Sequence, residues 1–127
     1  MEILNDIKTF TPEAGTDVNV WFKAAHIDAF PANGGACVKY KEMQIAVFNF
    51  SRRNEWFACQ NLCPHKMQMV LSRGMVGSFE GEPKVACPFH KKTFSLKTGE
   101  CLNAAECSIA VFPIKIEDDF VHIGFKK

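Results

Sequence analysis

The chain has 127 residues, 47% of them hydrophobic, and a formal charge of +1. That suits one domain with a core of its own; the lack of a long basic run gives no reason to expect nucleic acid, and no apolar stretch is long enough to span a membrane. Met1-Glu2-Ile3-Leu4-Asn5-Asp6 carries acids where a secretory leader would carry a basic region before an apolar one, so the protein is expected in the cytoplasm with its thiols reduced.

Residues 1 to 19 mix Thr, Asn, Asp, Pro and Gly without a clean period and read as an extended arm, giving an arm over 1–20 and a domain over 21–127. Trp21 to Ala25 predicts the first strand, and His26 opens a loop running through Pro31 and Gly34-Gly35. Ala36 to Tyr40 and Met43 to Phe50 form a hairpin about Lys41-Glu42, the second run being almost continuously apolar. After the polar turn Ser51 to Asn54, Glu55 to Gln60 returns as a strand and delivers the chain to Asn61-Leu62-Cys63.

Val70 to Pro83 reads as a short turn, a strand and a hairpin, and Lys84-Val85-Ala86 leads to Cys87. Thr93 to Leu96 is extended and Thr98-Gly99 a tight turn, glycine taking positive φ freely. Asn103 to Glu106 is loop. Ile114 and Ile116, then Val121, Ile123 and Phe125, alternate with polar residues or glycine about Asp118-Asp119, predicting a terminal hairpin that buries one face and turns His122 away from it. No helical period lasts more than two turns. The fold expected is all-β, a sandwich of short antiparallel strands with the site on loops at one end.

The chemistry lies between Cys63 and His90. Cys63-Pro64-His65 and Cys87-Pro88-Phe89-His90 each offer one thiol and one imidazole at short spacing, so two loops brought together present two sulfurs and two nitrogens to a common centre. Pro64 and Pro88 fix φ and stiffen each tip. Zinc also takes two Cys and two His, but its loops more often pair like with like, whereas here each loop mixes the two. His26 and His122 have no second ligand motif beside them, and Cys37, Cys59, Cys101 and Cys107 read as packed or incidental thiols; a Cys101–Cys107 disulfide would belong to an exported protein.

The Cys-x-His and Cys-x-x-His pair resembles the ligand pattern of Rieske iron–sulfur proteins, in which two His replace two Cys on one iron of a [2Fe–2S] cluster. The resemblance implies a Rieske-type sandwich with Cys63, His65, Cys87 and His90 as cluster ligands. High-potential members add a cysteine after each motif, joined as a disulfide clamp, and a His-Gly-Ser whose Ser donates to the cluster. Here Gln68 and Phe89 stand at the cysteine positions and His90-Lys91-Lys92 follows, so a potential in the lower part of the Rieske range, roughly −150 to +300 mV, is expected.

Cys63-Pro64-His65-Lys66, Val70-Leu71-Ser72-Arg73-Gly74, Val85 to Lys91 and Phe94 to Cys101 look like the small subunits of cytoplasmic NAD(P)H-dependent nitrite reductase, from about Trp21 to Phe125. That implies a large partner subunit carrying FAD, sirohaem and a [4Fe–4S] cluster, and reduction of nitrite to ammonium in nitrate assimilation. The chain itself has no Gly-x-Gly-x-x-Gly turn and no flavin site, which leaves it the role of a one-electron carrier binding no small substrate. Lys66, Lys91 and Lys92 would favour an acidic docking face, or are simply solvated; Arg73 positions the inter-loop segment or lies on the surface; Met67 and Met69 shield the cluster or pack the core. Two other readings remain: a free Rieske ferredoxin serving an aromatic-ring oxygenase, and a colourless zinc-stabilised module.

Overall fold

Every residue from Met43 to Phe50 except Gln44 and Asn49 is buried in the computed structural model, which describes residues 20–64, 67–89, 92–103 and 108–125. A strand shows its side chains to alternate faces, so such a run needs apolar cover on both sides. Met43, Ile45 and Val47 join one core cluster with Val121, Ile123 and Phe125. Ala46, Phe48 and Phe50 join another with Leu71, Val85 and Phe94.

The strands, in chain order, are β1 (Val20–His26), β2 (Gly34–Tyr40), β3 (Met43–Phe50), β4 (Glu55–Gln60), β5 (Leu62–Cys63), β6 (Gln68–Met69), β7 (Met75–Phe79), β8 (Glu82–Ala86), β9 (Thr93–Ser95), β10 (Val111–Phe112), β11 (Ile114–Glu117) and β12 (Phe120–Phe125). Among the described residues the helical content is two 3₁₀ turns, Ile27–Ala29 and Leu71–Arg73. Strands β10-β4-β3-β2 form the middle sheet, β1-β12-β11 one cover and β7-β8-β9 the other, with β5-β6 as a separate short hairpin. All these pairings are antiparallel.

The turns follow the chemistry of their residues. Asp118 and Asp119, both at positive φ (53° and 66°), make the tight connection of the terminal hairpin, a conformation that Asp tolerates better than most residues. Gly99 sits at φ +83°, as its place after Thr98 implies. Tyr40 stacks on Phe125 with ring centroids 4.0 Å apart and planes 4° from parallel, fastening the end of β2 to the cover strand β12.

The expected all-β class and the antiparallel pattern hold. The middle sheet is covered on both faces, which explains the unbroken apolar run in β3. One detail differs. Ile116, expected on the buried face of the terminal hairpin, is 40% exposed because it lies on the edge strand β11, where less of the core reaches it. No helix among the described residues is long and apolar enough to cross a membrane.

Candidate metal centre

The second core cluster is where the two cysteine loops begin. Cys63 ends β5 with 0% exposure and Cys87 follows β8 with 1%, and both belong to that one cluster together with Leu71, Val85, Phe94 and Leu96. Two thiols that are remote in sequence are thus delivered into the same dry, apolar surroundings. The first loop is the β5–β6 hairpin, in which Leu62 pairs with Met69 and Cys63 with Gln68. The second is closed by a hydrogen bond from the Cys87 N–H to the Lys92 carbonyl, 2.8 Å. His65 and His90 belong to these tips by sequence and lie outside the described residues, as do Lys66 and Lys91.

The strand leading to Cys63 is held by two buried amides. Gln60 (4% exposed) accepts from the Ala110 N–H at 2.7 Å and donates to the Leu62 carbonyl at 2.8 Å. Asn61 (2% exposed) accepts from the Ser72 N–H at 2.7 Å and donates to Gln44 Oε1 at 3.0 Å. Sequence reasoning passed over both as the polar end of a strand. Two successive amides between Cys59 and Leu62 were the available signal, but their partners lie as far as 50 residues away.

A third cysteine in the cluster, Cys59, provides contrast. It sits within β4, fully buried, and burial pushes its thiol well above the ordinary value. No imidazole stands two or three residues after it, as one does after Cys63 and Cys87, and it is packed in the core. Cys37 is exposed on β2, its thiol also raised by partial desolvation, and Cys37, Cys59 and Cys101 are unbridged; Cys107 lies outside the described residues.

Among the remaining residues singled out from the sequence, Met69 packs against the first core cluster, on the other side of the middle sheet, while Met67 is 41% exposed. Lys92 is half-buried and Arg73 exposed at the end of its 3₁₀ turn. His26 caps the other 3₁₀ turn, its Nδ1 accepting from the Asp28 N–H at 3.1 Å. His122 pairs with Lys23 on one side and Lys115 on the other, in the sheet that covers the first cluster. We therefore expect His122→Ala to leave iron content per chain unchanged, measured by metal analysis; a loss of iron would move the centre to a different place.

A β protein whose middle sheet and outer hairpins bring two buried thiols from two separate loops into one apolar cluster has the frame of a two-loop iron–sulfur protein. A family model for the Rieske-like [2Fe-2S] domain matches residues 20–124, and the chain belongs to that family. It is 36% identical over 96 residues to the nitrite reductase [NAD(P)H] of Emericella nidulans, 72% of this chain but only 8% of that protein's length. With the nitrite reductase (NADH) small subunit of Escherichia coli K12 it shares 29% identity over 81% of this chain and 95% of that one. The solution structure of the nitrite reductase [NAD(P)H] small subunit of Erwinia carotovora superposes with a TM-score of 0.72 at 29% identity, covering 84% and 82% of the two chains. The cofactor of the family is a Rieske-type [2Fe–2S] cluster, and the described part of the site fits it: thiolate is a ligand suited to iron–sulfur clusters, and the two thiols share one water-poor cluster of side chains.

Proposed function

We propose that this chain is the electron-transferring small subunit of a cytoplasmic NAD(P)H nitrite reductase, working with a large subunit that carries FAD, sirohaem and a [4Fe–4S] cluster and reduces nitrite to ammonium. In this reading residues 1–19 are an arm and the cluster domain begins with β1 at Val20, one residue before the bound expected from the sequence, with Cys63 and Cys87 on one iron and His65 and His90 on the other. The observation that carries it is the burial of Cys63 and Cys87 in one apolar cluster at the base of two separate loops. The names of the relatives support the choice of reaction.

When bound, the cluster supplies a one-electron redox couple. The chain's own contribution is to hold two thiolates away from water and to present a surface beside the tips. Met67 (41% exposed) and Phe89 (62% exposed) flank the two tips and give a partner apolar contact next to the centre. Arg73 and Lys92 add positive charge nearby in the chain, suited to an acidic docking face.

The test is purification of the tagged full-length chain from its source cells. Co-elution of a sirohaem flavoprotein, with nitrite reduction driven by NADH or NADPH, supports the proposal. Rapid turnover with a ring-hydroxylating oxygenase and its reductase, and no sirohaem partner, would instead make the chain a ferredoxin.

A further inference from the structure

Gln68 and Phe89 leave no disulfide between the ligand loops at the positions where clamped members of the family have one, yet the loops need a fixed spacing if two thiolates are to meet one iron. We infer that the Asn61 side chain is the positioning residue that supplies this spacing, by locking the 3₁₀ turn Leu71–Arg73 between the two loops. This inference rests on Cys63 and Cys87 being ligands.

The geometry runs from one thiol to the other without a gap. Asn61, two residues before Cys63, holds the turn twice: its carbonyl accepts from the Leu71 N–H at 3.0 Å, and its side-chain oxygen accepts from the Ser72 N–H at 2.7 Å. Because a backbone N–H can only donate, that second bond fixes which end of the amide faces Ser72. The amino group therefore points to Gln44 Oε1 at 3.0 Å, and it also lies 3.7 Å from the Cys37 sulfur. The Asn61 N–H donates to the Gln44 carbonyl at 2.9 Å, so β3 grips the residue through backbone and side chain.

From the turn the path continues into the second loop. The Gly74 N–H closes the turn onto the Leu71 carbonyl at 2.9 Å. Gly74 lies so near Ala86 that a methyl group on it would fall on the Ala86 carbonyl. Met75 then pairs with Ala86, the residue before Cys87. Leu71 itself is 0% exposed in the cluster that holds both thiols. A buried amide with its donors and acceptor engaged is a rigid part, since each bond lost leaves a polar group unpaired away from water.

The experiment compares the parent with Asn61→Leu and Asn61→Asp, each as the full chain. In Asn61→Leu, iron released to a chelator is expected to appear about tenfold faster, from the loss of the two side-chain hydrogen bonds of a buried amide. The EPR spectrum of its reduced form is expected to broaden into more than one species. Asn61→Asp keeps the acceptor for Ser72, and a half-turn of the Gln44 amide brings its NH2 group to the second carboxylate oxygen, so this variant is expected to restore a single narrow spectrum. A residue that merely filled the core would lower the melting temperature of Asn61→Leu and leave the spectrum alone, and that result overturns the inference. Should Asn61→Leu not fold, Gln44→Met, which removes only the acceptor for the Asn61 amino group, is read for the same broadening, and an unchanged spectrum there overturns it equally. A second readout needs no cluster: in metal-free protein, a short bifunctional thiol reagent should join Cys63 to Cys87, mapped by peptide mass, with a yield about tenfold lower in Asn61→Leu. If the parent binds no cluster, the proposed ligands fail on their own account, and an equal yield in the two proteins overturns the clamp separately.

Discussion

Cys63→Ser is expected to give a folded chain with iron and labile sulfide near zero, where the parent carries about two of each. Serine nearly matches cysteine in shape, and position 63 is fully buried, so the exchange opens no large cavity in the cluster around Leu71 and Phe94. The change is in donor chemistry. A hydroxyl is harder than a thiol and far more reluctant to ionise, and bridged iron–sulfur clusters are held by thiolates. The strand carrying residue 63 remains fixed by the Gln60 and Asn61 amides, so circular dichroism and the elution volume should change little while metal analysis collapses. His90→Ala is expected to do the same from the other loop. Full iron in either variant would show that the ligand assignment is wrong.

Gly74→Ala is expected to be strongly destabilising although it adds a single methyl. Its φ of −73° suits any residue, so the effect is purely steric. The added carbon would fall on the Ala86 carbonyl, 2.8 Å from Val85 Cγ2 and 3.1 Å from the Leu71 carbonyl. Two of those three neighbours are backbone atoms, one in a strand of the outer sheet and one in the 3₁₀ turn, and neither yields without moving its element. We expect a cost of about 2–4 kcal/mol, in the range of overpacked cores. That corresponds to a fall in melting temperature on the order of 10 °C. Gly77→Ala is the control: it lies on the same strand, β7, and its nearest atom is Lys84 Cε at 3.8 Å, so thermal unfolding should be nearly unchanged. Equal melting of the two variants would remove Gly74 from the contact between turn and second loop.

Much of this was legible because the longer strands carry their signal locally. β12 alternates Val121, Ile123 and Phe125, all buried, with Phe120, His122 and Gly124, and the turn at Asp118-Asp119 names itself. The unbroken apolar run of β3 announced a core strand, although not that two separate clusters cover its two faces. What stayed hidden lacks a period or depends on distant partners. β5, β6 and β10 have two residues each, too few for alternation to show, and Pro113 stops β10 at once. Gln60 and Asn61 look like the polar end of a strand until Ala110, Gln44 and Ser72 are seen to meet them. The paired Cys and His spacing singled out Cys63 and Cys87 from Cys59, which burial alone does not, since all three are buried in the same cluster.

The most direct measurement is the EPR spectrum of the purified, dithionite-reduced protein, read together with its metal content. A centre built from two thiolates and two imidazoles on a pair of bridged irons should show the rhombic signal of one unpaired electron, integrating to about one spin per chain. A colourless, EPR-silent protein holding a single zinc ion would contradict it.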